Sequence, residues 1–235
     1  MSASMPLRAV IFDMDGLMLD TERIALRALA DAAAELGYPW REEIGLAMVG
    51  LNARDSDAIV ARYLGPNYSP EPLRVAFNKT YMAAIEVGPI VAKTGLVELL
   101  DWLEQEEVPK AVATSTRHER ACFKLERAGI GRRFPVIIGG DQVSRGKPAP
   151  DIYIAAAAGL GIAASNCLAL EDSAPGVNAA LAAGMQVIMV PDVLAPPPEI
   201  VALGHCIVPS LHDVLRLLQD NTLALKLDDI RARVA

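Results

Sequence analysis

The chain has 235 residues, enough to bury a sizeable core and to carry one compact unit plus a modest insertion. A net charge of −7 and a pI near 5.0, with no basic run or aromatic-interleaved basic stripe, exclude nucleic-acid backbone binding as the main task. Cys122, Cys167 and Cys206 lack metal-like spacing and read as reduced core thiols; no apolar run approaches membrane-spanning length and no charged leader precedes Val10, so a cytoplasmic protein with no membrane partner is expected.

The first apolar run, Ala9-Val10-Ile11-Phe12, reads as a buried parallel strand and ends in Asp13-Met14-Asp15-Gly16. Two carboxylates at such a strand end repel one another and stay ionised only if a cation or a shared proton compensates. Thr21 to Leu36, closed by Gly37, has the pattern of a helix, and two more helical stretches fit Ala53–Leu64 and Glu71–Val87. Gly65-Pro66-Asn67 and Ser69-Pro70 separate them. Trp40 and Trp102 read as packing residues.

From Ala92 onward the pattern changes to alternating strands and helices. Thr94 is placed to cap a helix whose Leu96, Leu99, Leu100 and Leu103 share one face. Strands are expected near Lys110–Thr114, Pro135–Gly139, Cys167–Glu171 and Gln186–Val190, with a last short one at His205–Val208 and a helix opened by Ser210. Arg132 and Arg133 read as a solvated pair, His118 and His212 as helix-surface residues, and His205 as structural. The prolines at 196–198 read as a rigid surface turn, and residues 221–235 have no assigned form. The rhythm predicts an α/β protein with a parallel sheet.

Three segments in this half end in polar residues suited to one chemistry. Ala111-Val112-Ala113 leads into Thr114-Ser115-Thr116 just before a helix, where a hydroxyl and backbone N–H groups make an anion site. Lys147-Pro148-Ala149-Pro150-Asp151 offers a compact positive charge between prolines. Cys167-Leu168-Ala169-Leu170 ends in Glu171-Asp172-Ser173, a second carboxylate cluster before an alanine-rich segment that runs from Gly176 to Gly184.

With these four motifs in this order, together with the stretches FDMDGLMLDTE and GKPAPDIY, the chain resembles the haloacid dehalogenase superfamily of phosphohydrolases over nearly its whole length. The branch it resembles contains phosphoglycolate phosphatases and β-phosphoglucomutases. The resemblance implies a Rossmann-like catalytic core from residues 1–20 and 92–235, with a small helical cap domain inserted at 21–91.

The residues fit that chemistry. Aspartate attacks a dianionic phosphate ester poorly because the two repel, and a hard divalent cation removes much of the penalty; an all-oxygen ligand set favours Mg²⁺. Asp13 is expected to attack phosphorus and to hold the metal with its other oxygen. Asp15 is placed to protonate the leaving alkoxide and then to deprotonate the attacking water. The resemblance implies that the Asp15 backbone carbonyl is also a metal ligand. Thr114, the Ser115 N–H and Lys147 are expected to bind the phosphoryl group, Asp172 to complete the metal site, and Glu171 to act behind it or through water.

The expected substrate is a small phosphorylated metabolite. Asn52 and Arg54, in a loop of the cap, are candidates for binding its hydroxyl or carboxylate groups. The family's mutases usually carry a histidine four residues beyond the threonine of the extended first motif; Ala25 stands there in this chain, and in ungapped register Ala53 stands where their cap-loop arginine falls, with the adjacent Arg54 as a candidate substitute. Those departures favour a phosphatase over a sugar-phosphate mutase. Asp15 argues against haloacid dehalogenation, the lack of a lysine near Thr21 against phosphonate cleavage, and the complete residue set against a ligand-binding module without turnover. Oligomeric state is not legible.

Overall fold

The structure is a computed structural model that describes residues 7–49, 53–65 and 68–220, with residues 53–55 described by backbone alone. The chain divides into two compact units, one made of residues 1–19 and 92–235 and the other of residues 20–91. The first unit opens with strand β1 (Ala9–Phe12), all of whose residues are buried.

The second unit is helical: α1 (Glu22–Glu35), α2 (Glu42–Leu46), α3 (Ala53–Leu64) and α4 (Pro70–Val87). Its core gathers Leu29, Ala32 and Ala33 of α1, Ile44 of α2, Val60 of α3, and Leu73 and Ala76 of α4, with Tyr38, Trp40 and Phe77 packed at the margin. Ala32 and Ala33 remove bulk from α1 and let α4 pack along it. Gly37, at φ +72°, ends α1 in the left-handed conformation that suits glycine. Helix α2 departs from the sequence expectation, being too short to show an apolar period. Asn52 lies outside the described residues; Arg54 falls within α3, where only its backbone is described.

The first unit continues with α5 (Leu96–Gln105), β2 (Lys110–Thr114), α6 (His118–Arg127), β3 (Val136–Gly139), α7 (Asp151–Gly159), β4 (Cys167–Glu171), α8 (Ala174–Ala182), β5 (Gln186–Met189), α9 (Pro198–Val201), β6 (Cys206–Ile207) and α10 (Leu211–Gln219). The six strands form one parallel sheet in the order β3-β2-β1-β4-β5-β6. Every residue of β1, β2 and β4 is buried, because helices cover both faces of a parallel sheet and leave no position for alternating polar residues. Ala9, Ile11, Ala111, Ala113, Cys167 and Ala169 alternate onto one face, where Ile152, Tyr153, Ala156 and Ala157 of α7 and Val177, Ala179 and Ala180 of α8 meet them. The many alanines on both sides of that layer bring the helices close to the sheet. Residues of opposite parity face the other way, and there Phe12 meets Phe134 edge to face with ring centroids 5.7 Å apart.

Several expectations are corrected. Helix α5 begins after Gly95, at φ +86°, so Thr94 is not its cap. Arg132 is exposed as expected, but Arg133 is paired: its guanidinium donates to Asp101 at 2.6 Å and to Glu104 at 2.7 and 2.8 Å, and the Arg133 bonds to Glu104, with Lys110 adding to them, hold the Glu104 carboxyl down to about 2. Of the three thiols only Cys167 is fully buried; Cys122 and Cys206 are half-buried. Pro197 and Pro198 open the short helix α9. Ser210 caps α10, its hydroxyl accepting from the Asp213 N–H at 3.3 Å. Residues 221–235 lie outside the described residues. Among the described residues no helix is long and apolar enough to cross a membrane.

Candidate active site

The strand order reverses direction about β1, since the chain steps from β1 outward to β2 and β3 and later returns to lay β4 on β1's other side. In open parallel sheets that switch point leaves a crevice beyond the strands' C-terminal ends. Asp13 follows β1, Thr114 ends β2 and Glu171 ends β4, so three of the four polar motifs of the sequence converge there. The ladder carries on one residue past the strand, with the Asp13 N–H donating to the Leu170 carbonyl at 3.0 Å, which fixes the start of the loop.

Asp13 is buried, and its Oδ1 accepts from Lys147 Nζ at 2.5 Å. The same ammonium lies 2.5 Å from Glu171 Oε1 and 5.1 Å from the centre of the Tyr153 ring. A cation over an aromatic face and between two carboxylates is held in place from several sides. The Tyr153 hydroxyl donates to Glu171 Oε1 at 2.6 Å, while Glu171 Oε2 accepts from the N–H groups of Asp172 and Ser173 at 3.1 and 3.2 Å and from the Ser173 hydroxyl at 3.1 Å. Glu171 is thus buried with both oxygens occupied by donors. The Ser173 hydroxyl also caps α8 by accepting from the Gly176 N–H at 3.2 Å. A Cβ on Gly176 would fall 1.8 Å from Glu171 Oε1, so the carboxylate occupies space that only glycine leaves open.

Oxygen atoms of Asp13, Glu171 and Asp172 lie within 4.8 Å of one another, an all-oxygen cluster fitted to a hard divalent cation. Electrostatics agree with that fit. Burial pushes the Asp13 carboxyl up to about 8, Lys147 opposes the rise, and the negative charges of Glu171 and Asp15 add to it. One ammonium is therefore not enough to keep this group ionised, and a divalent ion is the kind of charge that would be. For Lys147 burial alone would favour the neutral amine, but Asp13 and Glu171 outweigh it and hold the ammonium charged. Burial, followed by Glu171, raises the Tyr153 hydroxyl well above its ordinary range, so it stays a donor.

Asp15 sits beyond Asp13 and before Gly16, at φ +87°, with Thr116 Oγ1 donating to its Oδ2 at 2.6 Å and Lys124 Nζ to its Oδ1 at 2.7 Å. Thr114 is buried and its hydroxyl accepts from the Thr116 N–H at 3.1 Å, drawing the loop into a tight turn, while Ser115 is exposed. The loop after β3 supports that turn. The Gly140 N–H donates to the Thr116 carbonyl at 3.0 Å, and a Cβ on Gly140 would meet the Ser115 carbonyl oxygen at 2.4 Å. Asp141 Oδ1 accepts from the His118 N–H at 2.7 Å, at the start of α6.

The structure thus brings Asp13, Lys147, Glu171 and Asp172 into one cluster, with Asp15 held by Thr116 beside Thr114 and Ser115. Lys124 was not singled out from the sequence, and Thr116, Tyr153, Ser173 and Gly176, though they lie within the named segments, were given no role there. A signal for Lys124 was present: Ala121, Lys124 and Leu125 are spaced as the buried face of a helix, and a lysine on such a face needs a partner. Tyr153 and Gly176 gave none, since a tyrosine and a glycine in apolar helices read as packing.

A profile of the family described as "Haloacid dehalogenase-like hydrolase" matches residues 10–190. The "Phosphorylated carbohydrates phosphatase" of Thermotoga maritima is 29% identical over 223 residues, covering 93% of this chain and 94% of that protein. "Beta-phosphoglucomutase" of Bacillus subtilis is 29% identical over 185 residues, covering 76% and 81%. The crystal structure of CbbY from Rhodobacter sphaeroides in complex with xylulose-(1,5)bisphosphate superposes with a TM-score of 0.71 at 26% identity, covering 88% of this chain and 96% of that one. The chain belongs to the haloacid dehalogenase-like hydrolase family, among relatives that include phosphatases and β-phosphoglucomutases.

Proposed function

We propose that this phosphoric monoester hydrolase is a Mg²⁺-dependent phosphatase of small phosphorylated metabolites, sugar phosphates or similar monoesters, working through an aspartyl-phosphate on Asp13. The observation that carries the reading is the buried cluster in which Lys147 bridges Asp13 and Glu171 while Asp172 stands within 4.8 Å of both carboxylates. In this reading residues 1–20 and 92–235 are the catalytic core, residues 21–91 a substrate-selecting cap with Asn52 and Arg54 as candidates for contacting the leaving group, and the cell compartment is the cytoplasm.

Asp13, the Asp15 carbonyl and Asp172 would hold the ion, which supplies the positive charge that lets a carboxylate approach a dianionic phosphate. Lys147 neutralises charge on the nucleophile and the phosphoryl group, and Thr114 with the Ser115 N–H binds phosphoryl oxygens as charge builds on them. Asp13 attacks phosphorus, the P–O bond to the leaving group breaks, and Asp15 delivers a proton to the departing alkoxide. Asp15 then takes a proton from water as that water attacks phosphorus and frees Asp13. Glu171, with its oxygens engaged, holds Lys147 and orients Asp172 through the Asp172 N–H.

Phosphate release from a panel of phosphorylated sugars, phosphoglycolate, glycerol phosphate and nucleoside monophosphates, with Mg²⁺ and with a chelator, tests this. Hydrolysis of at least one sugar phosphate only with Mg²⁺ is expected; a protein that turns over none of them, or does so equally with chelator, would not be this enzyme. The B. subtilis relative supports a second reading as a sugar-phosphate mutase. Ala25 stands against it, because a mutase must delay water until a sugar hydroxyl attacks. Incubation with β-glucose 1-phosphate and a trace of glucose 1,6-bisphosphate should give little glucose 6-phosphate; efficient isomerisation without free phosphate would establish the mutase.

A further inference from the structure

We infer that Lys124 is a positioning residue that fixes the Asp15 carboxylate for proton transfer, an inference that rests on the reading of Asp15 as acid and base. Lys124 lies on the face of α6 that Ala121 and Leu125 bury, and its side chain is 3% exposed. An ammonium is strongly hydrated and its stem flexible, so a lysine is placed there at a cost in both desolvation and rotamer freedom. Its Nζ reaches Asp15 Oδ1 at 2.7 Å, while Thr116 Oγ1 reaches Oδ2 at 2.6 Å.

A donor on each oxygen fixes both the place of the carboxylate and the rotation of its plane. That matters for a group with two torsions on a turn next to Gly16 that must meet an alkoxide and then a water at the same point. The two anchors come from different parts of one frame: Thr116 belongs to the turn closed by Thr114, and Lys124 to the helix that follows it. The phosphoryl-binding turn and the proton carrier are thereby tied together without Lys124 touching the substrate.

The test uses the whole chain with Mg²⁺, and two probes of similar shape, p-nitrophenyl phosphate and phenyl phosphate. Phenolate is the poorer leaving group and needs the proton more. On kcat/KM, which reports the step in which the leaving group departs, Lys124→Met is expected to lose about 10- to 100-fold with phenyl phosphate and several-fold less with p-nitrophenyl phosphate. Asp15→Asn should show the same dependence with a larger loss, and adding Lys124→Met to Asp15→Asn should cost less than about twofold more, because one residue acts through the other. Lys124→Arg, which keeps charge and donors, should recover part of the phenyl phosphate rate. If Lys124→Met does not fold, as read by circular dichroism, Lys124→Gln takes its place in the same comparison.

Equal losses on both probes, multiplying losses in the double variant, or no loss would overturn the role of Lys124. An Asp15→Asn enzyme without leaving-group dependence would instead overturn the reading of Asp15 itself.

Discussion

Gly176→Ala opposes two effects whose sizes can be compared. Gly176 lies in α8, so by helix propensity alone alanine should stabilise by about 1 kcal/mol. The added methyl carbon, however, would stand 1.8 Å from Glu171 Oε1 and 2.2 Å from Oε2, and ordinary contact at 3.4 Å requires the carboxylate to retreat by about 1.6 Å. The far end of a glutamate can usually move that far, but this one is fully buried and holds Lys147, Tyr153 and Ser173 at 2.5 to 3.2 Å. A hydrogen bond to a charged group contributes about 1.5–3 kcal/mol, so breaking two of them outweighs the propensity gain and leaves a net loss of about 2–5 kcal/mol. Displacing Glu171 also releases Lys147 from its place on Asp13, and a misplacement of about 1 Å in such a group lowers turnover about 100-fold. Urea unfolding gives the first quantity and Mg²⁺-dependent hydrolysis of p-nitrophenyl phosphate the second. An alanine variant as stable and active as the parent would show that the Glu171 network does not hold the site together.

Asp13→Asn should abolish turnover while the chain still folds, since it removes the nucleophile at nearly constant volume; parent-like phosphate release by a clean preparation would contradict this. Asp172→Asn should mainly raise the Mg²⁺ concentration needed for half-maximal rate, whereas Asp15→Asn should stay slow at any Mg²⁺, and the reverse pattern would exchange their roles. The raised Asp13 carboxyl predicts a pH effect on the metal-free protein. Its ordinary value is 3.8 and its folded value about 8, so the folded state keeps a proton that the unfolded chain has lost, and this contribution to stability is full below about 4, falls as pH rises toward 8 and then levels off. Melting curves in chelator should therefore show wild type losing stability relative to Asp13→Asn across that window, with Mg²⁺ stabilising wild type more as pH rises; parallel curves would refute it.

The sheet was legible because its central strands are buried on both faces, which forces unbroken apolar runs such as Ala9-Val10-Ile11-Phe12 and Cys167-Leu168-Ala169-Leu170, and because each run ends in polar residues that a core strand would not carry. The short helix α2 was not, since five residues cannot display a period of 3.6. Arg133 and Lys124 escaped for a different reason: their partners, Asp101 and Glu104 in one case and Asp15 in the other, are distant in sequence, and only the fold brings them together. The motif residues could be gathered from the sequence because Asp13, Thr114 and Glu171 stand at the ends of apolar strand runs and Lys147 stands among prolines just ahead of α7. What holds them is less visible, as the tyrosine, serine and glycine around Glu171 act by position and not by a distinctive residue type.

The covalent route through Asp13 is tested most directly by the stereochemistry at phosphorus. A phosphomonoester made chiral with sulfur and one oxygen isotope is hydrolysed in water carrying another, and the configuration of the released thiophosphate is determined. Two in-line displacements, first by Asp13 and then by water, predict net retention. Net inversion would mean that water attacks the substrate directly and would contradict the aspartyl-phosphate.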